Sequence, residues 1–171
     1  MLIVTGGAGF IGSCMVRTLN DAGKDDIIVV DNIALTDKWK NLSNKKYIKY
    51  VHKDKFLNDE LPSLSSVEAI IHLGACSSTT ERNFDYFHSN NFEYTKTLWN
   101  YCSEKEIPFI YASSAATYGD GSQGFNDKDD IDALRPLNAY GYSKQLFDQW
   151  VKKQIIHKAQ TPPPACRPEV F

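Results

Sequence analysis

The sequence predicts an α/β fold built on a doubly wound parallel sheet with helices on both faces. Three observations predict it. Short aliphatic runs recur along the chain, each ending in glycine, serine or aspartate. Stretches with apolar residues at helical spacing alternate with those runs. Between Asp26 and Asp31, residues 27–30 are apolar without interruption, as expected of a strand covered on both faces rather than one.

The elements follow in order. Leu2-Ile3-Val4-Thr5 is partly β-branched and stops at Gly6, which predicts a first strand. Residues 10–20 place Ile11, Met15, Val16 and Leu19 on one helical face, and Gly23 stands where a C′ residue belongs. The second strand is residues 26–31, and a weaker third covers 47–51. Residues 56–64 are polar and broken by Pro62. Residues 67–73 predict a fourth strand leading into a polar turn at 74–80. A long helix is expected over 84–105, with Phe87, Asn91, Tyr94, Leu98 and Tyr101 along one face. Residues 108–113 make the fifth strand, 118–134 a Gly- and Asp-rich surface loop, and 139–157 the last helix. Strands alternating with helices imply parallel pairing.

At 171 residues the chain has the size of one domain with a substantial core. A net charge of −2 provides no basic field for nucleic acid or an anionic membrane surface. No apolar run approaches the roughly 20 residues that span a bilayer. The first residues lack the pattern of a signal peptide. Cys14, Cys76, Cys102 and Cys166 are widely spaced with no CxxC pair, so buried free thiols in a reducing cytoplasm are expected. His52, His72, His88 and His157 lack metal-ligand spacing, and no metal is expected.

Two constellations carry chemistry. Gly6, Gly9 and Gly12 lie between a strand and a helix. The first allows a tight turn, the second lets backbone amides approach a pyrophosphate, and the third lets helix and strand pack closely. The helix N-terminus adds N–H donors and partial positive charge. Asp31, at the end of the second strand, stands where an acidic residue accepts hydrogen bonds from an adenosine ribose. Alone it favours NAD, whereas Lys38 and Lys53 on the same rim could neutralise a 2′-phosphate, so the residues leave NAD and NADP open.

The second constellation is Ser113-Ser114 after the fifth strand together with Tyr140 and Lys144. The latter two are four apart and share a helix face. An ammonium beside a phenol favours the phenolate, which makes Tyr140 usable in proton transfer, while a serine hydroxyl holds the reacting oxygen. Tyr142 is the rival, but its spacing of two from Lys144 turns it to another face. Tyr118 is read either as pocket lining or as loop packing.

Together these residues resemble the extended short-chain dehydrogenase/reductases, over residues 1 to about 160. At a finer level they are similar to the ADP-heptose 6-epimerases of that family. The discriminating strings are Gly74-Ala75-Cys76-Ser77-Ser78-Thr79-Thr80-Glu81, residues 112–120, and Pro136-Leu137-Asn138-Ala139-Tyr140-Gly141-Tyr142-Ser143-Lys144. The resemblance implies a bound NADP, an ADP-heptose substrate oxidised transiently to a C6″ ketone, and a product used in the lipopolysaccharide inner core. It also implies a homo-oligomer for the full-length family. It makes Tyr140 the proton-transferring residue, Lys144 its activator and a nicotinamide-ribose contact, and Ser114 the hydroxyl partner. Phe10, Ile11, Asp31, Asn32, Lys38, Lys53, Leu73, Gly74, Ala75, Cys76, Ser77 and Asn90 fall on cofactor-contact positions. Leu73 replaces the family's glutamate there. On this resemblance Lys38 and Lys53 favour NADP. The alternatives are another sugar-nucleotide epimerase or dehydratase and a non-catalytic NADP-binding fragment. Ala115 and Ala116 replace the Asp-Glu pair of the dehydratases.

Residues 161–171 depart from the family, and their prolines predict a poor strand. They can be encoded so that a one-nucleotide shift restores a family-like strand, so a frameshifted, shortened reading frame is the expectation. Epimerase activity of this chain alone is then expected to be weak or absent.

Overall fold

The computed structural model describes residues 1–78, 80–128, 130–159 and 169–170, without the side chains of 157–159 and 169–170. These residues form two compact units. One comprises residues 1–74 and 101–112 with the short strand 169–170, and the other comprises 75–100 and 113–159.

The first unit carries the sheet. Its strands are β1 (Leu2–Thr5), β2 (Ile27–Asp31), β3 (Lys49–His52), β4 (Ala69–His72), β5 (Phe109–Tyr111) and β6 (Glu169–Val170), in the order β3-β2-β1-β4-β5-β6. Every neighbouring pair is parallel. Strand order reverses between β1 and β4, the place where open α/β sheets bind ligands at their carboxyl ends. All five residues of β2 are buried, as its unbroken apolar run required. Helix α1 (Phe10–Asp21) lays Val16, Met15 and Leu19 on a core of Leu2, Val4, Ile27, Val29 and Ile71. It ends at Gly23, whose φ of +76° allows the Lys24 N–H to reach the Leu19 carbonyl at 2.9 Å.

Several boundaries differ from expectation. The edge strand β3 starts two residues late, because only Val51 of it is buried and burial does not anchor its start. The polar segment before β4 is helical, winding from Lys53–Lys55 through the π-helical turn Phe56–Glu60 to Leu61–Ser63. Pro62 lies at the start of its last turn, where a missing N–H costs no helical bond, and Phe56 and Leu61 supply buried contacts. Glu169–Val170 pairs beside Ile110–Tyr111 although a poor strand was expected. The prolines end at 168, and both paired residues carry N–H groups. The rest of the tail, Cys166 included, lies outside the described residues.

The long helix α2 spans 84–104, and its last turn from Tyr101 belongs to the first unit. It is interrupted by a π-helical turn, His88–Glu93, between α-helical Phe84–Phe87 and Tyr94–Glu104. The wider turn accommodates an extra residue, so two successive asparagines, Asn90 and Asn91, are both buried. In the second unit α2 and α3 (Ala139–Ala159) build a core of Phe87, Leu98, Trp99, Phe147 and Val151. Trp99 meets Trp150 edge-on at 5.0 Å. In the loop 118–134, Ile131–Ala133 forms a 3₁₀ turn, pinned where Gln145 Nε2 donates to the carbonyls of Ile131 and Leu134.

Among the described cysteines only Cys102 is buried. Cys76 is half-buried, and Cys14 is exposed on the side of α1 opposite Gly12 and Val16, which corrects the expectation of uniformly buried thiols. Among the described residues no helix is long and apolar enough to cross a membrane, and no cluster of His, Cys, Asp and Glu could hold a metal ion.

Candidate functional site

The carboxyl ends of β1 and β4 shape the candidate site of the first unit. Thr5 Oγ1 lies 2.5 Å from His72 Nδ1, and the Gly74 N–H donates to the same hydroxyl at 3.3 Å. Gly6 then turns at a φ of +67°, and a Cβ there would stand 2.6 Å from the Gly74 nitrogen. A Cβ at Gly74 would stand 3.0 Å from the Gly6 nitrogen, a tight approach, so the stricter need for glycine is at Gly6. A Cβ at Gly12 would lie 2.1 Å from the Gly6 carbonyl oxygen. Gly12 therefore brings the helix onto the loop's own backbone, not onto the strand as the motif suggested. Gly9 is the N-cap of α1, whose first turn carries no acidic side chain, and Phe10 and Ile11 are 83% and 66% exposed. Backbone donors and partial positive charge gather here.

Asp31 is buried at the end of β2 and links the parts of this rim. Its Oδ2 accepts the Ala8 N–H at 2.9 Å, and its Oδ1 accepts the Asn32 N–H at 2.7 Å and the Lys38 ammonium at 2.6 Å. The expected ribose acceptor thus braces the glycine loop itself, although Oδ2 keeps a second lone pair. β3 pairs His52 with Asp31, which brings Lys53 just past the same sheet edge. The Lys53 ammonium donates to Asp54 at 2.8 Å and holds that carboxyl below the ordinary range. Leu73 is half-buried and packs on the core.

The second unit carries the acid/base residues. Asn138 caps α3 by accepting the Gly141 N–H at 2.8 Å, so Tyr140 lies in the first helical turn. A Cβ at Gly141 would stand 2.6 Å from the Ala116 carbonyl oxygen. Glycine between Tyr140 and Lys144 therefore lets α3 lie against the turn Ala115–Tyr118. That turn is capped by Ser114, whose hydroxyl accepts the Ala116 N–H at 3.2 Å and can still donate. This contact brings together the segments that carry Ser114 and Tyr140. Tyr140 is half-buried beside Phe87, whereas Tyr142 is exposed and stacks on Phe84. Tyr118 donates to Asp127 and meets Phe125 edge-on, which is loop packing.

Lys144 is only 4% exposed. Burial pushes its ammonium down to about 8, with the Asp148 carboxylate opposing that fall. Ser113 donates to Asp148, so the two adjacent serines have different partners.

Asn91 was missed as a site residue. Its side chain brackets Cys76, accepting its N–H at 2.8 Å and donating to its carbonyl at 3.0 Å, and also donates to Ser143 Oγ at 3.0 Å. Ser143 in turn donates to the Tyr140 carbonyl at 2.7 Å. Asn91 thereby ties the turn Ala75, Cys76, Ser77 to the helix bearing Tyr140. The sequence signal was available, since a polar residue stood on the apolar face of α2. Beside it, Asn90 donates to Asn91 Oδ1 at 3.0 Å, while its own buried Oδ1 has no hydrogen-bond partner among the described residues.

In the first unit, a cradle that side-chain carbons would fill and a helix start lacking acidic residues suit the pyrophosphate of a dinucleotide. In the second unit, the orphaned Asn90 amide oxygen suits an N–H donor. The comparisons with known proteins agree. The model of the NAD dependent epimerase/dehydratase family matches residues 2–160. An ADP-L-glycero-D-manno-heptose-6-epimerase of Nitratidesulfovibrio vulgaris is 55% identical over 159 residues, covering 90% of this chain and 49% of that protein. The solved Helicobacter pylori ADP-L-glycero-D-manno-heptose-6-epimerase superposes with a TM-score of 0.70 at 26% identity, over 90% of this chain and 50% of that one. UDP-glucuronic acid 4-epimerase from Bacillus cereus, solved in complex with NAD, gives 0.71 at 25% identity, over 92% and 52%. The chain spans about half the length of the curated relatives it matches. With its motifs in order and nearly its whole length matched, the chain belongs to the NAD dependent epimerase/dehydratase family.

Proposed function

We propose that this chain is the dinucleotide-binding and acid/base part of an ADP-L-glycero-D-manno-heptose 6-epimerase. The observation that carries the reading is Gly141. Its missing Cβ lets the helix bearing Tyr140 and Lys144 approach the turn capped by Ser114. That arrangement serves proton transfer at a substrate hydroxyl.

Gly6, Gly9 and Gly12, with Asp31, Asn32, Lys38 and Lys53 at the ends of β2 and β3, would hold the adenosine and pyrophosphate. Ala75, Cys76 and Ser77 with Asn90 would take the nicotinamide end. NADP, when bound, supplies the hydride acceptor and donor. Tyr140 would take the proton of the C6″ hydroxyl and later return a proton to the same oxygen. Lys144, by its positive charge, would favour the ionised tyrosine oxygen that takes up this proton. Ser114, positioned by its own capping bond, would donate to the reacting oxygen. Lys38 and Lys53 favour NADP over NAD, because two cations near one rim suit a 2′-phosphate. A product destined for the lipopolysaccharide inner core, made in the cytoplasm, follows from the same reading.

The glycine loop and its Asp31 brace, both within the first unit, favour a second reading, a dinucleotide-binding unit without turnover. Incubation with ADP-D-glycero-D-manno-heptose, with the epimers resolved by NMR, separates the two. Formation of the L-glycero epimer that ceases in Tyr140→Phe supports the epimerase. Saturable cofactor binding with no epimer formed leaves the binding unit.

A further inference from the structure

We propose that Asp148 is a positioning residue for Lys144, supplying its counter-charge from one helical turn further along α3 and itself held by the Ser113 hydroxyl. The inference rests on the reading above only for what Lys144 does in the reaction.

Lys144 and Asp148 stand four residues apart on α3, so they share a face, and they are 4% and 7% exposed. A buried ammonium is costly unless an opposite charge lies beside it, and a buried carboxylate needs donors of its own. Ser113 supplies one such donor to Asp148 Oδ2, from the residue directly before Ser114. The segments packed on α3 are the start of α2, its π-helical turn, and the turns Ala115–Tyr118 and Ile131–Ala133. Their titratable groups are Asp85, Tyr86, His88, Glu93, Tyr118 and Asp132, and α3 itself carries Tyr140 and Tyr142 near Lys144. The charge that acts on Lys144 is Asp148, and it opposes the effect of burial. The adjacent serines thus divide the work. Ser114 caps the turn facing Gly141, and Ser113 fixes the counter-charge of the lysine one helical turn beyond Tyr140.

The test is the titration of the Lys144 ammonium in the whole 171-residue chain carrying lysine labelled with carbon-13 at Cε. The signal is assigned by its loss in Lys144→Arg, and the experiment contains neither substrate nor cofactor. It therefore succeeds or fails independently of whether the chain is an epimerase. Asp148→Asn, which keeps the shape and a partner for Ser113, is expected to lower the Lys144 midpoint by roughly one pH unit. Ser113→Ala is expected to lower it by less, in the same direction. An unchanged midpoint in folded Asp148→Asn overturns the proposal. Should that variant fail to fold, an unchanged midpoint in Ser113→Ala overturns it.

Discussion

The Asp31 carboxylate accepts the Lys38 ammonium at 2.6 Å on one oxygen and the Ala8 N–H at 2.9 Å on the other. One buried side chain thus couples the charge on the rim to the shape of the glycine loop.

Removing that link should loosen both. Asp31→Ala leaves the Ala8 and Asn32 amides without their acceptor, at a cost of about 2 kcal/mol. The Lys38 pairing adds little, since that lysine is half-exposed and rehydrates. Urea unfolding measures the stability loss, and a dinucleotide titration of the same variant should show weakened binding. Unchanged stability would mean that the carboxylate does not brace the loop.

Glycine substitutions should separate close approach from backbone strain. At Gly12 a new Cβ would fall 2.1 Å from a backbone oxygen that has no room to yield, so Gly12→Ala should cost several kcal/mol, on the order of a severe core overpacking. At Gly23 a Cβ meets nothing within 4 Å, and only the positive φ is penalised, at about 1 kcal/mol. Thermal melts of the two variants should rank them in that order.

Lys144 makes stability depend on pH. Its folded-state value, about 8, lies below the ordinary 10.5, so between those limits the unfolded chain binds more protons. Stability therefore rises with pH across this window. The contribution is lost as pH falls through about 8, where the buried amine must be charged. Wild type minus Lys144→Met, measured by urea unfolding, should climb from pH 7 to 10.5 by a few kcal/mol, on the order of 3. A flat difference would contradict the burial of the charge.

Asn91 should matter more than its size suggests. Asn91→Leu deprives the Cys76 N–H and carbonyl of their partners and should destabilise by about 2–4 kcal/mol. Hydrogen exchange should speed up in the turn at 75–78 and in the first turn of α3. Exchange confined to α2 would show that the bracket is not what holds the turn.

Much of this architecture was legible in the sequence, because the physics there is local. β1, β2 and α1 follow from unbroken apolar runs, helical spacing and a C′ glycine, and Tyr140 and Lys144 from their spacing of four. What the sequence concealed was long-range. That Gly74 faces Gly6, Gly141 faces Ala116 and Ser113 holds Asp148 depends on the packing of segments distant in the chain. Asp31 was found at the right place but serves the loop directly, since its spacing from Gly12 carries no information on which donor it meets. The π-helical turn in α2 escaped notice because the apolar pattern continues on either side of it.

We propose that the glycine loop and its lysine rim bind NADP. Isothermal titration of the folded chain with NADPH and with NADH tests it most directly. Saturable one-site binding is expected, tighter for NADPH, with the preference lost in Lys38→Ala. A folded chain that binds neither dinucleotide, or binds both alike before and after that substitution, would contradict it.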